Sequence, residues 1–161
     1  MEKHEAYIKA MTSYGGDKEQ EYAPYYTEEC ERAFESWMIE QPKANDITLY
    51  RGYKFDEGYF EDGDWHEDKE VTPWALTAGY HPAFTSDEIR AVKYINEFGN
   101  AYDEYVKVLF VLQTQGKYMV NVSEQSYYPE ENEYHPCGQA RFKVVSIKRT
   151  GGFNTITLEE I

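Results

Sequence analysis

The stretch QSYYPEENEYHPCGQARFKVV, residues 125–145, crowds three glutamates into four positions: Glu130, Glu131 and Glu133. Like charges at that density repel one another, so a folded chain keeps them as a solvated loop or because they act on something. Glu131 and Glu133 lie two apart at what reads as the start of a strand. Period-two alternation then turns both to one side and Asn132 to the other. Two carboxylates on one side of a cleft suit different tasks. One can accept a hydrogen bond from a hydroxyl and stabilise developing positive charge, while the other orients an incoming nucleophile. Acidic strand starts are also common in acidic proteins, so spacing by itself leaves a solvated edge open.

A second candidate comes from DITLYRGYKF, residues 46–55, where Ile47, Leu49 and Arg51 share one strand face. An arginine on an apolar face is costly unless an anion meets it. That anion is either a ligand or one of the chain's own 30 acidic residues. The histidines His4, His66, His81 and His135 show no metal-ligand spacing. Asp62-Gly63-Asp64 does not run on to the closing glutamate of a calcium loop, so no metal is expected. His135, close to the acidic pair, reads as a surface side chain.

The elements that must position these groups belong to a chain of 161 residues, the size of one domain spanning 1–161. Thirty acidic against 16 basic residues give a net charge of −14. Direct nucleic-acid binding and docking on anionic membranes are excluded on that balance, since both need clustered cations. A basic protein partner would be drawn in by such a field. Cys30 and Cys137 match no redox or metal pattern, and Cys30 falls on an apolar helix face as a buried free thiol. No signal-like or membrane-spanning run is present in the sequence, and a reduced, cytoplasmic place of action is expected.

Helices are expected first. One runs from about Glu2 to Met11, and TEECERAFESWM follows, with Cys30, Ala33, Phe34, Trp37 and Met38 as one stripe capped by Thr27. Residues 56–72 read as an acidic solvated loop. A capping box Thr85/Glu88 opens a helix whose inward side is Ile89, Val92, Tyr94 and Ile95. Strands are expected at Val106–Gln113, Tyr118–Val122, about Ala140–Ile147 and Thr155–Leu158. Helices first and strands last give an α+β domain.

Three pieces in order resemble the arginine-serine-glutamate class of ADP-ribosyltransferases. LYRG (49–52) resembles the family's arginine strand, and FTSDEIRAVKY (84–94) its Ser-Thr-Ser strand end and helix. GKYMVNVSEQSYYPEENEYHPCGQARFKVV (116–145) resembles the hydrophobic strand, aromatic turn and Glu-x-Glu, closed by a Phe-x-Val strand. Together the pieces cover roughly residues 45–147. The resemblance implies amino-terminal helices packed on a two-sheet β-sandwich with a cleft for NAD as substrate. It also implies mono-ADP-ribosylation in the manner of toxins and certain phage enzymes.

Residue by residue, the resemblance gives Arg51 a phosphate of NAD, with Gly52 beside it. Thr85 and Ser86 take the second and third positions of the triplet, and Phe84 stands where the family has the serine that holds the catalytic glutamate. Ser86 and Ser123 are the hydroxyls that could take over that task. Glu133 becomes the catalytic glutamate at the nicotinamide ribose, and Glu131 the contact to an acceptor, an arginine where this position is Glu. Phe98 could stack on nicotinamide. Tyr127 and Tyr128 occupy the turn that recognises the target protein. Other readings remain open: NAD hydrolysis in the same pocket, a catalytically inactive binding relative, or an acidic inhibitor imitating nucleic acid.

Overall fold

The computed structural model describes residues 1–13, 19–56, 65–76, 81–97, 105–150 and 152–161. Helices α1 (Lys3–Thr12), one-turn α2 (Glu19–Tyr22) and α3 (Glu28–Glu40) come first, and α4 (Glu88–Glu97) follows later. Eight strands follow α3: β1 (Asn45–Asp56), β2 (Glu70–Val71), β3 (Phe84–Thr85), β4 (Tyr105–Gln115), β5 (Met119–Asn121), β6 (Glu133–Pro136), β7 (Phe142–Thr150) and β8 (Phe153–Glu160). Their hydrogen-bonded order is β2-β7-β8-β4-β1-β3-β6-β5. The α+β class holds, and the expected two sheets are joined into one curled sheet where β3 bridges β1 at Tyr50↔Thr85.

Thr27 caps α3 as its sequence predicts, accepting a hydrogen bond from the Cys30 amide at 3.2 Å. The stripe Cys30, Phe34 and Met38 is buried with Tyr7, Ile8 and Met11 of α1 against Val120, Val122 and Cys137. The amino-terminal helices therefore back the β5–β6 end of the sheet. On β1, Leu49 and Phe55 enter the main core with Phe84, Phe110, Phe142 and Ile156. The opposite face of β1 carries α4, and Gly52 permits that contact: a Cβ there would lie 2.2 Å from the Ala91 carbonyl oxygen and 2.7 Å from Ile95.

Three local expectations change. The α4 cap is Asp87, whose carboxylate accepts from the Arg90 amide, so the Thr85/Glu88 box does not form. The inward side of α4 is Ala91 and Ile95 with Val92, while Ile89 is 80% and Tyr94 48% exposed. The tighter register follows because Gly52 lets the helix approach on its small Ala91. Third, the acidic stretch is not wholly solvated: Trp65 and Val71 are core residues, and β2 pairs with β7. Residues 57–64 lie outside the described residues. Among the described residues no helix is long and apolar enough to cross a membrane.

Candidate active site

Register across three strands builds the site. Tyr50 of β1 stands opposite Thr85 of β3, and Thr85 stands opposite Glu133 of β6. Phe84 pairs with Tyr134 instead, and its ring lies in the core against Phe142. Adjacent strand residues face opposite ways, so Phe84 and Glu133 lie on different faces. The hydroxyl in register with Glu133 is thus that of Thr85, and it donates to the Glu131 main-chain carbonyl at 2.8 Å.

Glu133 is 4% exposed, and its Oε2 lies 3.1 Å from Nε2 of His135, which is fully buried. The surface role expected for His135 is therefore wrong. Glu133 and His135 share a face because they are two apart on β6, and Phe34 of α3 approaches the imidazole edge-on at 6.4 Å. Of the two hydroxyls expected near the glutamate, Ser86 is exposed, and Ser123 reaches the main-chain carbonyl of Glu133 at 3.5 Å.

Glu131 meets Glu133 by a different route from simple strand alternation. It ends a 3₁₀ turn, Pro129–Glu131, and Asn132 then takes a left-handed conformation at φ 50° and ψ 54° before β6 begins. Asparagine tolerates that region because its short polar side chain can bond locally, and here it reaches the Glu130 carbonyl. The turn swings the Glu131 carboxyl into hydrogen-bonding contact with Glu133. Burial, that hydrogen bond and the Glu133 charge push Glu131 up to about 7, with Arg90 opposing and Glu130 adding a smaller rise. Glu130, the third of the crowded glutamates, is exposed.

Arg51 lies on β1, with Nε donating to the Leu76 carbonyl at 3.1 Å and an NH1 proton to that of Ala83 at 3.0 Å. Its guanidinium carbon also sits 4.9 Å from the centre of the Tyr53 ring. These contacts aim the half-buried cation beside β3, the strand that also carries the Glu133 register. Gly52, expected at the dinucleotide, is buried under α4. Tyr127 and Tyr128 are half-buried and stack edge to face at 4.9 Å. Their turn is pinned to α1, since Thr12 accepts from the Tyr127 amide and Lys9 donates to the Gln125 carbonyl. Phe98 lies outside the described residues.

Sequence reasoning missed His135 as a partner of Glu133 and Arg90 as a charge beside Glu131. It also missed His81, whose ring faces that of His135 at 6.5 Å and Phe34 at 5.2 Å. Burial and then His135 lower His81 to about 4, against a hydrogen bond to the Pro136 backbone. The one signal available was the i, i+2 spacing of Glu133 and His135. Among the described residues, Glu31, Glu35 and His81 bring one ligand atom each within 4.8 Å of one another, the one grouping whose donors could hold a cation.

No protein-family model matches the sequence, and neither does any curated protein sequence. Solved structures do match. ADP-ribosyltransferase Vis in complex with agmatine is 19% identical over 99% of this chain and 67% of its own, with a TM-score of 0.63. A second structure of Vis toxin, an ADP-ribosyltransferase from Vibrio splendidus, gives 16% identity over 100% and 68%, again at 0.63. The C3 exoenzyme of Clostridium limosum gives 11% over 100% and 86%, at 0.59. The resemblance carried by the three sequence pieces is thus the one the whole backbone displays: the chain has the fold of the mono-ADP-ribosyltransferase toxins.

Proposed function

We propose that this chain cleaves NAD at the nicotinamide glycosidic bond and transfers ADP-ribose to a protein, with an arginine side chain as acceptor. The observation that carries the reading is the contacting Glu131–Glu133 pair, one carboxylate buried and fixed, the other held up to about 7. Arg51, steered by two carbonyls beside β3, suits a phosphate of the dinucleotide. The bond between ribose C1′ and the nicotinamide nitrogen breaks, and nicotinamide leaves with the bonding electron pair. Glu133 accepts the ribose 2′-hydroxyl proton in a hydrogen bond and stabilises the positive charge that develops on the sugar, as carboxylates do in glycoside hydrolysis.

Glu131 then receives the proton that the guanidinium gives up as its nitrogen bonds to C1′. A carboxyl titrating near neutrality is suited to that transfer. The guanidinium of agmatine, bound by Vis, supports arginine as the acceptor class. With water in place of the guanidinium the same pocket hydrolyses NAD. Tyr127 and Tyr128, on a turn braced by α1, are the surface proposed to meet the target protein.

The test is nicotinamide release and label transfer from NAD to agmatine, with Glu133→Gln and Glu131→Gln beside the wild type. Glu133→Gln should lose both activities, by roughly 100- to 1,000-fold in kcat. Glu131→Gln should lose transfer while part of the hydrolysis survives. Equal loss of both in Glu131→Gln would count against its acceptor-side role.

A further inference from the structure

We infer that His135 is a positioning residue for Glu133, holding its carboxylate in the orientation that the chemistry uses; the inference rests on the transferase reading above. Three observations combine. The residue in the triplet position expected to hold Glu133 is Phe84, which faces the core, and the hydroxyl of Thr85 is committed to the Glu131 carbonyl. His135 Nε2 is 3.1 Å from Glu133 Oε2, with both side chains buried. A buried imidazole is an expensive way to fill a β6 position that packs against Phe34, so an apolar side chain would serve packing better.

The ring's other nitrogen identifies the proton that does the work. Nδ1 is buried with no hydrogen-bond partner. An N–H left unpaired there would carry the full desolvation cost, whereas a bare lone pair is cheaper to bury. The tautomer that satisfies the site is therefore Nε2–H, donating to Glu133. Three elements clamp the ring in place: Phe34 of α3 edge-on, the His81 ring at 6.5 Å, and its own strand β6. Glu133 needs this clamp because Glu131, its other neighbour, is used at the acceptor. A carboxylate free to rotate would lose its alignment on the 2′-hydroxyl, and small misplacements are costly in rate.

His135→Leu keeps the apolar packing and removes the donor, while His135→Gln returns an N–H of similar reach. Kinetics of nicotinamide release should show kcat for His135→Leu down about 10- to 100-fold, as for a lost hydrogen bond to a charged group, with KM for NAD within about twofold. His135→Gln should recover most of the loss. Wild-type kcat in His135→Leu overturns the proposal, as does His135→Gln performing no better than His135→Leu when both melt like the wild type. Nitrogen NMR of the wild-type imidazole gives a readout independent of turnover and of how the variants fold: Nε2–H is expected, and an Nδ1–H tautomer overturns the inference. If the wild type releases no nicotinamide, the transferase reading fails and the catalytic part of this inference with it. The ring spectrum then still decides whether His135 holds Glu133.

Discussion

Replacing Glu131 with glutamine should make the protein more stable at pH 8 while removing transfer activity. In the folded chain this carboxyl is raised from 4.5 to about 7 by burial and by Glu133. A folded acid with a raised pKa binds its proton more tightly than the unfolded chain does. Stability is then greatest below pH 4.5 and is lost as pH rises through 7. At about 1.36 kcal/mol per unit, the 2.5-unit difference sets a ceiling of roughly 3 kcal/mol. The side chain is only half-buried, so solvent screening cuts the realised cost to about 1–2 kcal/mol. Glutamine keeps the shape, carries no charge, and should recover that amount. For a chain of this length the gain corresponds to a Tm higher by about 2–8 °C. Calorimetric melts of wild type and Glu131→Gln at pH 5 and pH 8 read it directly. The gap should open at pH 8 and nearly close at pH 5. Equal Tm values at both pH values, or a less stable Glu131→Gln at pH 8, would refute the strained-pair account. The outcome expected is a stability–activity exchange at one side chain.

Three further predictions rest on other parts of the fold. His81 is lowered from 6.5 to about 4 chiefly by burial, so the unfolded chain takes up its proton first as pH falls. That difference should remove about 3 kcal/mol of stability between pH 6.5 and pH 4, and His81→Gln should flatten that limb of a denaturant-midpoint series against pH. Glu35 lies 3.9 Å from the ring, and burial and then Glu31 raise its own pKa. Gly52→Ala places a methyl 2.2 Å from the Ala91 carbonyl oxygen, which should cost about 3 kcal/mol and lower Tm by roughly 6–12 °C, seen in thermal melts. Arg51→Lys loses the paired N–H geometry aimed past two carbonyls, and should raise KM for NAD about tenfold while kcat changes less.

Much of the site was legible because strand alternation and charge cost are local. Arg51 stood out as a cation on the face that buries Leu49 and Phe55, and Thr27 announced the α3 cap. The Glu131–Glu133 contact was anticipated for the wrong reason, since a left-handed Asn132 rather than an extended strand brings them together. Single-residue backbone reversals leave little trace in period-two patterns. The cap expected at Thr85 is taken by Asp87: the Thr85 hydroxyl accepts from the Asp87 amide two residues on, donates to the Glu131 carbonyl 46 residues away in sequence, and stands in register with Glu133, 48 away. His135 was misread because burial of one polar side chain depends on what α1 and α3 cover, which the sequence of β6 does not contain. The chain reverses between the expected strands Val106–Gln113 and Tyr118–Val122 at Gly116, which takes φ +76°, yet β5 pairs with β6 rather than with β4. Turn chemistry marks where a chain reverses and leaves open which strand it joins.

The central claim is that Glu133, held by its neighbours, drives cleavage of the nicotinamide glycosidic bond. Its most direct test is nicotinamide release from NAD by the purified wild type and by Glu133→Gln, each checked for an unchanged thermal melt. The account predicts release by the wild type and a loss of roughly 100-fold or more in Glu133→Gln. A wild type that releases no nicotinamide, or a Glu133→Gln variant that matches it, would contradict the account.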